Sequence, residues 1–337
     1  MAKKHLPRWA KILIALPTSL VALALLLVLT YVLLLVTAPK ERPYSGSKPV
    51  NEYVVGGGKT LVSAHRSGGG LFPEDTRMAF EECLKSADDF TVDLFEFDLH
   101  LTADDRLILL HDDTLDRTSD SEKVFGQSGV RAREKTYEEL RQLNFGANFS
   151  LPQSPGTYPF RTENVPDNLR ALAVEDLLDY LESQGQFRYI IEIKDGGADG
   201  QRGVDLLVEI LTERDLLGRV IFGTLQNEVT AYVDAHHPEL PRSAGKDEAI
   251  YFYLKSLIGW PQNEDDLHYI ALQVPPTQYD YIILGTKRFV RYCHKYNLSV
   301  QYWTVNDADE IRKIADFGAD VIMSDVPDTA YDVIHNR

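Results

Sequence analysis

The stretch Leu-Phe-Glu-Phe-Asp-Leu-His-Leu, residues 94–101, decides the fold. Apolar and polar side chains alternate along it, which is typical of a β-strand with two different faces. One face carries Glu96, Asp98 and His100, whereas the other carries only Phe and Leu. The strands of a parallel barrel are covered on both sides, so we expect the polar face to point into a barrel rather than into water.

Two further stretches extend this pattern. Residues 189–194, Tyr-Ile-Ile-Glu-Ile-Lys, place Glu192 and Lys194 on one face of a second strand. Residues 106–112, Arg-Leu-Ile-Leu-Leu-His-Asp, begin soon after the first strand, whereas a parallel crossover needs about a dozen residues or more. They are therefore predicted to return antiparallel to that strand, as an extension at the mouth of the barrel.

Short apolar stretches alternate with helical patterns over the rest of the chain, which indicates a (β/α)8 barrel at residues 59–337. The predicted strands lie at 60–66, 94–101, 189–194, 220–225, 240–245, 269–274, 299–305 and 320–325. The predicted helices lie at 75–87, 173–184, 203–215, 227–235, 246–257, 286–296 and 307–317.

An insertion at about 113–172 interrupts this alternation and is rich in Gly and Pro. Within it, residues 136–144 are predicted to form a short helix that opens with a Thr-x-x-Glu capping box. A long insertion at the active face of a barrel is typically a lid or a specificity element, and we expect that role here.

A segment before the barrel, residues 12–36, has no charged residue and is long enough to cross a bilayer as a helix. It is longer than the apolar region of a cleaved signal peptide, which is the alternative. More Lys and Arg precede the segment than follow it closely. The positive-inside rule therefore predicts residues 1–11 in the cytoplasm and a single-pass protein of the cell membrane. Residues 37–58, rich in Pro, Gly and Ser, are expected to link this helix to an extracytoplasmic barrel.

The charge is distributed unevenly along the chain. Residues 1–42 carry six Lys or Arg and one Glu, so the net charge of −16 leaves −21 for the remainder. Such an acidic domain does not fit a nucleic-acid partner, and it leaves the helix as the attachment to the membrane. The two cysteines, Cys83 and Cys293, lie outside the polar motifs and are expected to pack as small apolar side chains.

Glu96, Asp98 and Glu192 are predicted to bring three carboxylates from two strands to one point. Oxygen ligands select a hard divalent cation, so Ca2+, Mg2+ or Mn2+ is the expected ion. Zinc prefers His or Cys ligands, and binding of a metal by His65 and His111 is the alternative arrangement.

His65 ends the first predicted strand and is followed directly by Arg66. An imidazole beside a guanidinium suits acid–base chemistry on a phosphate, although a lone histidine at a turn is more often structural. Trp303 ends the seventh predicted strand. Its position fits the wall of a substrate pocket and the packing of the core equally well.

Seven short motifs follow one another over roughly residues 60–330. They are His65-Arg66-Ser67, Pro73-Glu74-Asp75-Thr76, Glu96-Phe97-Asp98, His111-Asp112, Glu192-Ile193-Lys194, Trp303-Thr304-Val305-Asn306 and Gly318-Ala319-Asp320 with Asp325-Val326-Pro327. In this order the motifs resemble those of the glycerophosphodiester phosphodiesterase family. The chain departs from the family pattern at Ser67, where the family has Gly, and at Asp75, where it has Asn. These departures bear on substrate preference more than on activity.

The resemblance implies a (β/α)8 barrel of the phosphodiesterase type and assigns roles to individual residues. The implied roles are acid–base catalysis by His65 and His111, metal binding by Glu96, Asp98 and Glu192, and phosphate binding by Arg66 and Lys194.

The resemblance also implies an activity, the metal-dependent hydrolysis of glycerophosphodiesters to an alcohol and glycerol phosphate. The expected substrates are small or lipid-derived: glycerophosphodiesters, lysophospholipids near the membrane, or glycerol-phosphate polymers of a cell envelope. Two alternatives stay open, a lysophospholipase D-type enzyme acting on lysolipids and a non-catalytic receptor for envelope polymers. The intact histidines and carboxylates disfavour the receptor, because binding alone does not need paired acid–base groups.

Overall fold

The computed structural model describes residues 8–55 and 59–335, with side chains from Leu20 onward. Its strands are β1 (Leu61–Ala64), β2 (Leu94–Leu101), β3 (Leu107–Leu109), β4 (Arg188–Ile193), β5 (Val220–Gly223), β6 (Ala271–Val274), β7 (Thr277–Gln278), β8 (Ile282–Ile283), β9 (Ser299–Tyr302) and β10 (Val321–Ser324). Its helices are α1 (Arg8–Val36), α2 (Arg77–Lys85), α3 (Ser121–Phe125), α4 (Tyr137–Leu140), α5 (Val174–Gln184), α6 (Gly197–Glu213), α7 (Asn227–His236), α8 (Lys246–Ile258), α9 (Lys287–Lys295), α10 (Ala308–Asp316) and α11 (Pro327–His335).

Parallel strands form a nearly closed barrel in the order β5–β4–β2–β1–β10–β9–β6. The gap between its outer strands is bridged by two residues, since Arg242 pairs with Phe222 of β5 and Ser243 pairs with Ala271 of β6. The predicted barrel is therefore confirmed. The predicted strand at 240–245 is wrong in its extent. Pro241 has no N–H to donate to a ladder, so the pairing stays limited to these two bridges.

The two faces of β2 lie in different surroundings, as the alternation predicts. Phe95 and Phe97 pack against Phe80 of α2, with ring centroids 5.3 and 5.9 Å apart. On the other face Asp98 lies in register with Glu192 of β4, inside the barrel. The apolar face thus forms the layer between strands and helices, and the acidic face lines the interior.

The insertion carries its own small core. β3 runs antiparallel to β2, with Leu99 opposite Leu109, which confirms the predicted hairpin. The capping box of α4 is also present, because Thr136 and Glu139 bond reciprocally, although the helix is shorter than predicted. The buried apolar residues of this core are Ile108, Leu110, Leu115, Val130, Ala132, Leu140, Leu143, Phe145 and Ala171.

The remaining differences from the sequence prediction are α3, α6, α11 and the β7–β8 hairpin, and α3 lies in the part of the insertion that was expected to be loop. α6 begins at Gly197, earlier than predicted. Its first turns contain glycines, which usually disfavour a helix, but the close packing here requires them. A Cβ on Gly200 would lie 2.3 Å from the backbone oxygen of Asp195. α11 was not predicted, although Pro327 at its first position is a typical helix start. The β7–β8 hairpin was also not predicted, because its strands have only two residues each.

The N-terminal helix α1 covers the apolar segment 12–36. Residues 1–7 of the predicted cytoplasmic segment lie outside the described residues. A search of the described part of the chain finds no helix with the length and apolarity needed to cross a membrane.

Part of the predicted linker 37–58 lies against the barrel. Lys48 donates to the backbone oxygen of Leu267 at 2.7 Å, and Asn51 donates to that of Ile270 at 2.7 Å. Tyr53 is only 3% exposed and packs at the amino-terminal end of the barrel interior. A composition rich in Pro, Gly and Ser does not reveal such contacts, because they depend on single side chains.

Candidate active site

The carboxyl ends of the barrel strands bring together most of the residues singled out in the sequence. His65 and Arg66 directly follow β1, Glu96 and Asp98 lie on β2, and Glu192 lies on β4. Lys194 follows β4, and His111 follows the β3 extension. This end of a parallel barrel is where catalytic groups lie in enzymes of this architecture.

Three carboxylates form the centre of the site. Glu96, Asp98 and Glu192 lie side by side on adjacent strands, and Asp98 is only 1% exposed. Burial, followed by the charge of Asp98, raises the pKa of Glu96 to about 7. The same two causes raise the pKa of Glu192. Carboxylates packed so closely repel one another, so the cluster favours any positive charge that reaches it.

Two cations border the carboxylates. Arg66 Nε lies 3.7 Å from Asp98 Oδ2. Lys194 Nζ lies 3.5 Å from Asp98 Oδ1 and 3.2 Å from Glu192 Oε1. Burial lowers the pKa of Lys194, but Asp98 and Glu192 more than offset this, so the pKa is raised overall. Both cations therefore stay charged at neutral pH and can attract an anionic substrate.

His65 is oriented by a carboxylate from another strand end. Its Nδ1 lies 2.6 Å from Asp325 Oδ1, and Asn306 donates to the other oxygen of Asp325 at 2.8 Å. Its Nε2 lies 3.9 Å from Glu96 Oε2. Burial lowers the pKa of His65, but Glu96 and Asp325 outweigh it and raise the pKa overall. The ring thus has one nitrogen fixed by Asp325 and the other directed to the carboxylates.

His111 has a similar partner in the next residue. Its Nδ1 lies 2.7 Å from Asp112 Oδ1. Arg117 donates to Asp112 Oδ2 at 2.6 Å and to Glu74 Oε2 at 2.7 Å, so the insertion fixes this pair. Arg117 is also the first cause of the lowered pKa of Asp112. The pKa of His111 itself is lowered, chiefly by burial.

Trp303 directly follows β9 at the carboxyl end of the barrel. Its side chain is half-buried against the apolar cluster of the barrel interior, and its backbone N–H donates to the oxygen of Val274 at 3.3 Å. The neighbouring Thr304 Oγ1 lies 3.4 Å from His65 Nε2. The side chain therefore packs partly in the core and partly at the mouth, between the two predicted roles.

The backbone beside the site adopts an uncommon conformation. Arg66, Ser67 and Asp75 have φ angles of +47°, +59° and +55°, which L residues other than Asn and Asp rarely adopt. The turn allows the Arg66 N–H to donate to Glu96 Oε2 at 2.7 Å. Ser67 thus occupies a position suited to glycine, as its departure from the family pattern suggested.

Asp75 is the second departure, and its carboxyl is fully enclosed. Among the described residues, neither of its side-chain oxygens has a hydrogen-bond partner. Burial, followed by the charge of Asp98, raises its pKa well above the usual value. An Asn here would be neutral, so Asp75 adds to the acidity of this half of the barrel.

Sequence reasoning missed several residues that orient the site. Asp325, Glu74 and Asp112 lie within the recognised motifs, yet no role was assigned to them. Asp325 directly follows the last barrel strand, which is a signal that could have identified it. Arg117 lies in an irregular part of the insertion, and the sequence offers no signal for its two partners.

A pocket of about 260 Å³ opens beside these residues. Glu74 and Arg117 line its polar side, and Phe145, Phe149 and Pro152 of the insertion line its apolar side. The insertion therefore forms a wall next to the catalytic groups, as expected of a specificity element.

A divalent cation fits the donor set of the site. Among residues 8–55 and 59–335, no group of three or more His, Cys, Asp or Glu side chains stands arranged to hold a metal ion. However, Asp98 Oδ2 is buried and has no hydrogen-bond partner in the described chain. Burial and the charge of Asp98 raise the pKa values of the neighbouring Glu96 and Glu192. Oxygen donors of this kind are the ligands of hard divalent cations.

A barrel mouth with two carboxylate-paired imidazoles, an acidic cluster and two partly buried cations defines a hydrolase of phosphate esters. Residues 65–329 match the glycerophosphoryl diester phosphodiesterase family, and the chain belongs to this family. It is thus a phosphoric diester hydrolase, a glycerophosphodiester phosphodiesterase.

Curated and solved relatives agree with this assignment. A glycerophosphodiester phosphodiesterase of Bacillus subtilis is 26% identical over 82% of this chain and 86% of its own length. One from Caldanaerobacter subterraneus is 25% identical over 82% of this chain and 98% of its own. The glycerophosphoryl diester phosphodiesterase domain of a Mycobacterium tuberculosis protein has the same fold, with a TM-score of 0.65 at 19% identity, over 81% of this chain and 98% of that one. A phosphodiesterase of Oleispira antarctica, solved with sn-glycerol-3-phosphate, has a TM-score of 0.60 at 20% identity, over 82% and 97% of the two chains.

Proposed function

We propose that the chain hydrolyses glycerophosphodiesters to an alcohol and glycerol phosphate in a metal-dependent reaction that uses His65 and His111 as acid and base. One observation carries this proposal. Two imidazoles, each fixed through Nδ1 by a carboxylate, border one largely buried cluster of acidic residues and cations. The product sn-glycerol-3-phosphate in the Oleispira antarctica structure supports glycerol phosphate as a product.

The proposed roles follow from the position of each side chain. Arg66 and Lys194 bind the non-bridging phosphate oxygens, since both are cations at the mouth. One imidazole takes a proton from the attacking water as its oxygen bonds to phosphorus. The other imidazole gives a proton to the departing alcohol oxygen as the phosphorus–oxygen ester bond breaks.

Glu96, Asp98 and Glu192 would hold a divalent cation in this proposal. When bound, that cation supplies positive charge which stabilises the charge on the phosphoryl oxygens. The carboxylates supply three oxygen donors from two adjacent strands, and Lys194 lies beside them to complete the charge balance. Trp303, half-buried at the mouth, is proposed to contact the substrate beside His65.

A substrate panel tests this proposal directly. Glycerophosphocholine, glycerophosphoethanolamine, glycerophosphoglycerol and lysophosphatidylcholine are offered with EDTA, and then with Ca2+, Mg2+ or Mn2+ restored. We expect hydrolysis that EDTA abolishes and that an added cation restores. Full activity in chelated protein would overturn the metal-ligand assignment. Glu96→Gln should likewise lose the thermal stabilisation that an added metal gives, because a ligand that binds only the folded state stabilises it.

We also propose that α1 anchors the protein in the cell membrane, with residues 43–337 outside the cytoplasm. The uncharged segment 12–36 supports this, as do the exposed apolar side chains of α1 from Leu20 to Val36. Alkaline carbonate should leave the full chain in the membrane pellet, and protease added to intact spheroplasts should degrade the barrel. Release by carbonate would exclude the anchor, and protection in intact spheroplasts would exclude the orientation.

A further inference from the structure

Two exposed tyrosines stand on the β7–β8 hairpin. Tyr279 and Tyr281 are each 68% exposed, and their rings stack with centroids 6.2 Å apart. Tyr279 has a φ of +52°, which a bulky L residue rarely adopts. The hairpin thus presents a pair of amphipathic rings to the surroundings of the protein.

The hairpin lies at the catalytic end of the barrel. It directly follows β6, and Val274 at the end of β6 accepts a hydrogen bond from the Trp303 N–H. Its base is fixed by the backbone oxygen of Pro276, which accepts from the N–H groups of Leu284 and Gly285 at 2.9 and 2.7 Å. The tyrosines are therefore carried by the rim of the mouth that contains the active site.

Helix α1 reaches the same corner of the molecule. Tyr31 Oη donates to the backbone oxygen of Tyr281 at 2.9 Å and accepts from the Ile283 N–H at 3.2 Å. Arg288 of α9 donates to the backbone oxygen of Leu34 at 2.8 Å, and Arg291 donates to that of Pro39 at 2.6 Å.

These contacts fix the direction of α1. The chain from Leu34 to Pro39 runs parallel to α9, because its partners follow in the order Arg288 and then Arg291. α9 connects the mouth to the start of β9, so it runs away from the mouth. The part of α1 before Tyr31 therefore lies on the mouth side. Leu20 is eleven residues earlier in the sequence, which is about 16 Å along a helix.

The part of α1 on the mouth side is apolar and exposed. Its exposed large apolar residues before Tyr31 are Leu20, Val21, Leu23, Leu25, Leu26, Leu27, Val28 and Leu29. An exposed apolar surface of this kind has a lower free energy in lipid than in water. Tyrosines beside such a helix match the aromatic belts found at membrane interfaces.

We propose that the tyrosine hairpin, residues 277–283, docks at the surface of the lipid bilayer into which α1 extends, so that the catalytic mouth faces lipid headgroups. Lys287, exposed at the start of the adjoining helix α9, provides positive charge for anionic headgroups. Asp280, exposed between the two tyrosines, lies in the hydrated headgroup layer. The inference rests on the proposed activity and anchor, and it names membrane-borne glycerophosphodiesters such as lysolipids as the preferred substrate class.

A depth measurement tests the docking without using activity. Full-length protein with Asp280→Cys carries an environment-sensitive fluorophore and is reconstituted into vesicles of phosphatidylcholine and phosphatidylglycerol with headgroup-proximal doxyl lipid. Glu213→Cys, exposed at the end of α6 on the opposite side of the barrel, is the matched control. Cys83 and Cys293 are both buried and do not compete for the label. Quenching at position 280 should exceed that at position 213 by about twofold or more, and equal quenching overturns the proposal.

Activity on two substrates supplies the second test. The Tyr279→Ser/Tyr281→Ser double variant should hydrolyse lysophosphatidylcholine in vesicles about three- to tenfold more slowly, with hydrolysis of soluble glycerophosphocholine unchanged. Trp260→Ser removes an aromatic ring that is 59% exposed just after α8, where the chain returns towards the start of β6, and it should change neither rate. Equal losses on both substrates, or a vesicle-specific loss in Trp260→Ser, would contradict a mouth-facing membrane. A lower oligomeric mass of the double variant in detergent would instead assign the hairpin to a second copy of the chain, which also overturns the proposal. If the wild-type protein cleaves neither substrate, the proposed activity fails, while the quenching result still decides the docking.

Discussion

The two halves of the barrel interior have the same strand pattern, but one half is acidic and the other is neutral. β2 and β4 direct Glu96, Asp98 and Glu192 inward, whereas β6 and β9 direct Gln273 and Gln301 inward. The glutamines satisfy one another, with Gln273 Nε2 donating to Gln301 Oε1 at 3.0 Å. The carboxylates repel one another and need cations from outside their strands. Alternation along a strand therefore predicts which side chains point into the barrel. Whether those side chains are charged or neutral distinguishes the half with the candidate active site from the half with the paired glutamines.

Removal of either imidazole should have the largest effect. We expect His65→Ala and His111→Ala each to lower kcat by about 10²- to 10⁴-fold. The double variant should lose far less than the product of the two, because the groups act as a unit. Gln273→Ala in the neutral half is the control, and it should cost about 1 kcal/mol of stability from its lost hydrogen bond with little change in kcat. Near wild-type turnover in the double variant would contradict the assigned roles.

Removing a buried carboxyl from the acidic half, or adding one to the neutral half, should have the next largest effect. The free energy of unfolding is measured in urea with EDTA present. The pKa of Asp75 is raised in the folded state, so folding is favoured at low pH and loses stability as the pH rises above the usual value of 3.8. Asp75→Asn should therefore be more stable than wild type by about 1–3 kcal/mol at pH 8. The difference should shrink as the pH falls towards 4, where Asp75 is protonated in the folded state and partly protonated in the unfolded state.

Gln301→Glu makes the converse change, because it places a carboxyl in the neutral half. It should be less stable than wild type, and more so at pH 8 than at pH 4. If both variants show a pH-independent difference from wild type, burial of charge is not what separates the two halves.

Arg117 links the charged half to the insertion, and its loss should have an intermediate effect. Arg117→Met should lower kcat about tenfold, because Asp112 and His111 lose their fixed position. Arg117 lowers the pKa of Asp112, so the variant should also shift the acid limb of the pH profile of kcat to higher pH. Partial rescue by Arg117→Lys is expected, because Lys restores the charge without the two-pronged geometry. An unchanged pH profile would show that Arg117 serves only the stability of the insertion.

Two serines near β1 provide the smallest and most finely matched comparison. Ser67 has a left-handed backbone conformation, so Ser67→Gly relieves strain in the folded state. Gly also gives the unfolded chain more freedom, so the net increase in the free energy of unfolding should be about 0.5 kcal/mol. Ser63 lies within β1, so Ser63→Gly should lower it by about 0.5–1 kcal/mol. Equal effects in chemical denaturation would mean that the Ser67 conformation carries no strain.

The sequence predicts those features that depend on local periodicity. β2 matches its predicted bounds, and the alternation of barrel strands and helices is confirmed, although α3 and the β7–β8 hairpin were not predicted. The strand predicted at 240–245 is limited to the bridges of Arg242 and Ser243, and two isolated bridges leave no periodic pattern that could give its extent. The contact of Tyr53 with the barrel interior was hidden for the same reason, since a single buried ring in a polar segment gives no period.

In the site, motif residues on strands could be predicted, and their orienting partners could not. Glu96 and Asp98 alternate with phenylalanines on one strand, so their shared face follows from geometry. Asp325 lies 260 residues from His65, and Arg117 lies 43 residues from Glu74. Such partners come together only through the closure of the barrel and the fold of the insertion.

The separate core of the insertion makes this part of the protein modular. Its apolar residues, among them Leu115, Leu140 and Leu143, pack chiefly on one another, so the barrel core does not depend on most of them. An engineer could therefore graft a different insertion onto the same barrel to change the lining of the pocket. The graft must retain an arginine at position 117. Among the described residues of the insertion, only the Arg117 guanidinium donates hydrogen bonds to Asp112 and Glu74.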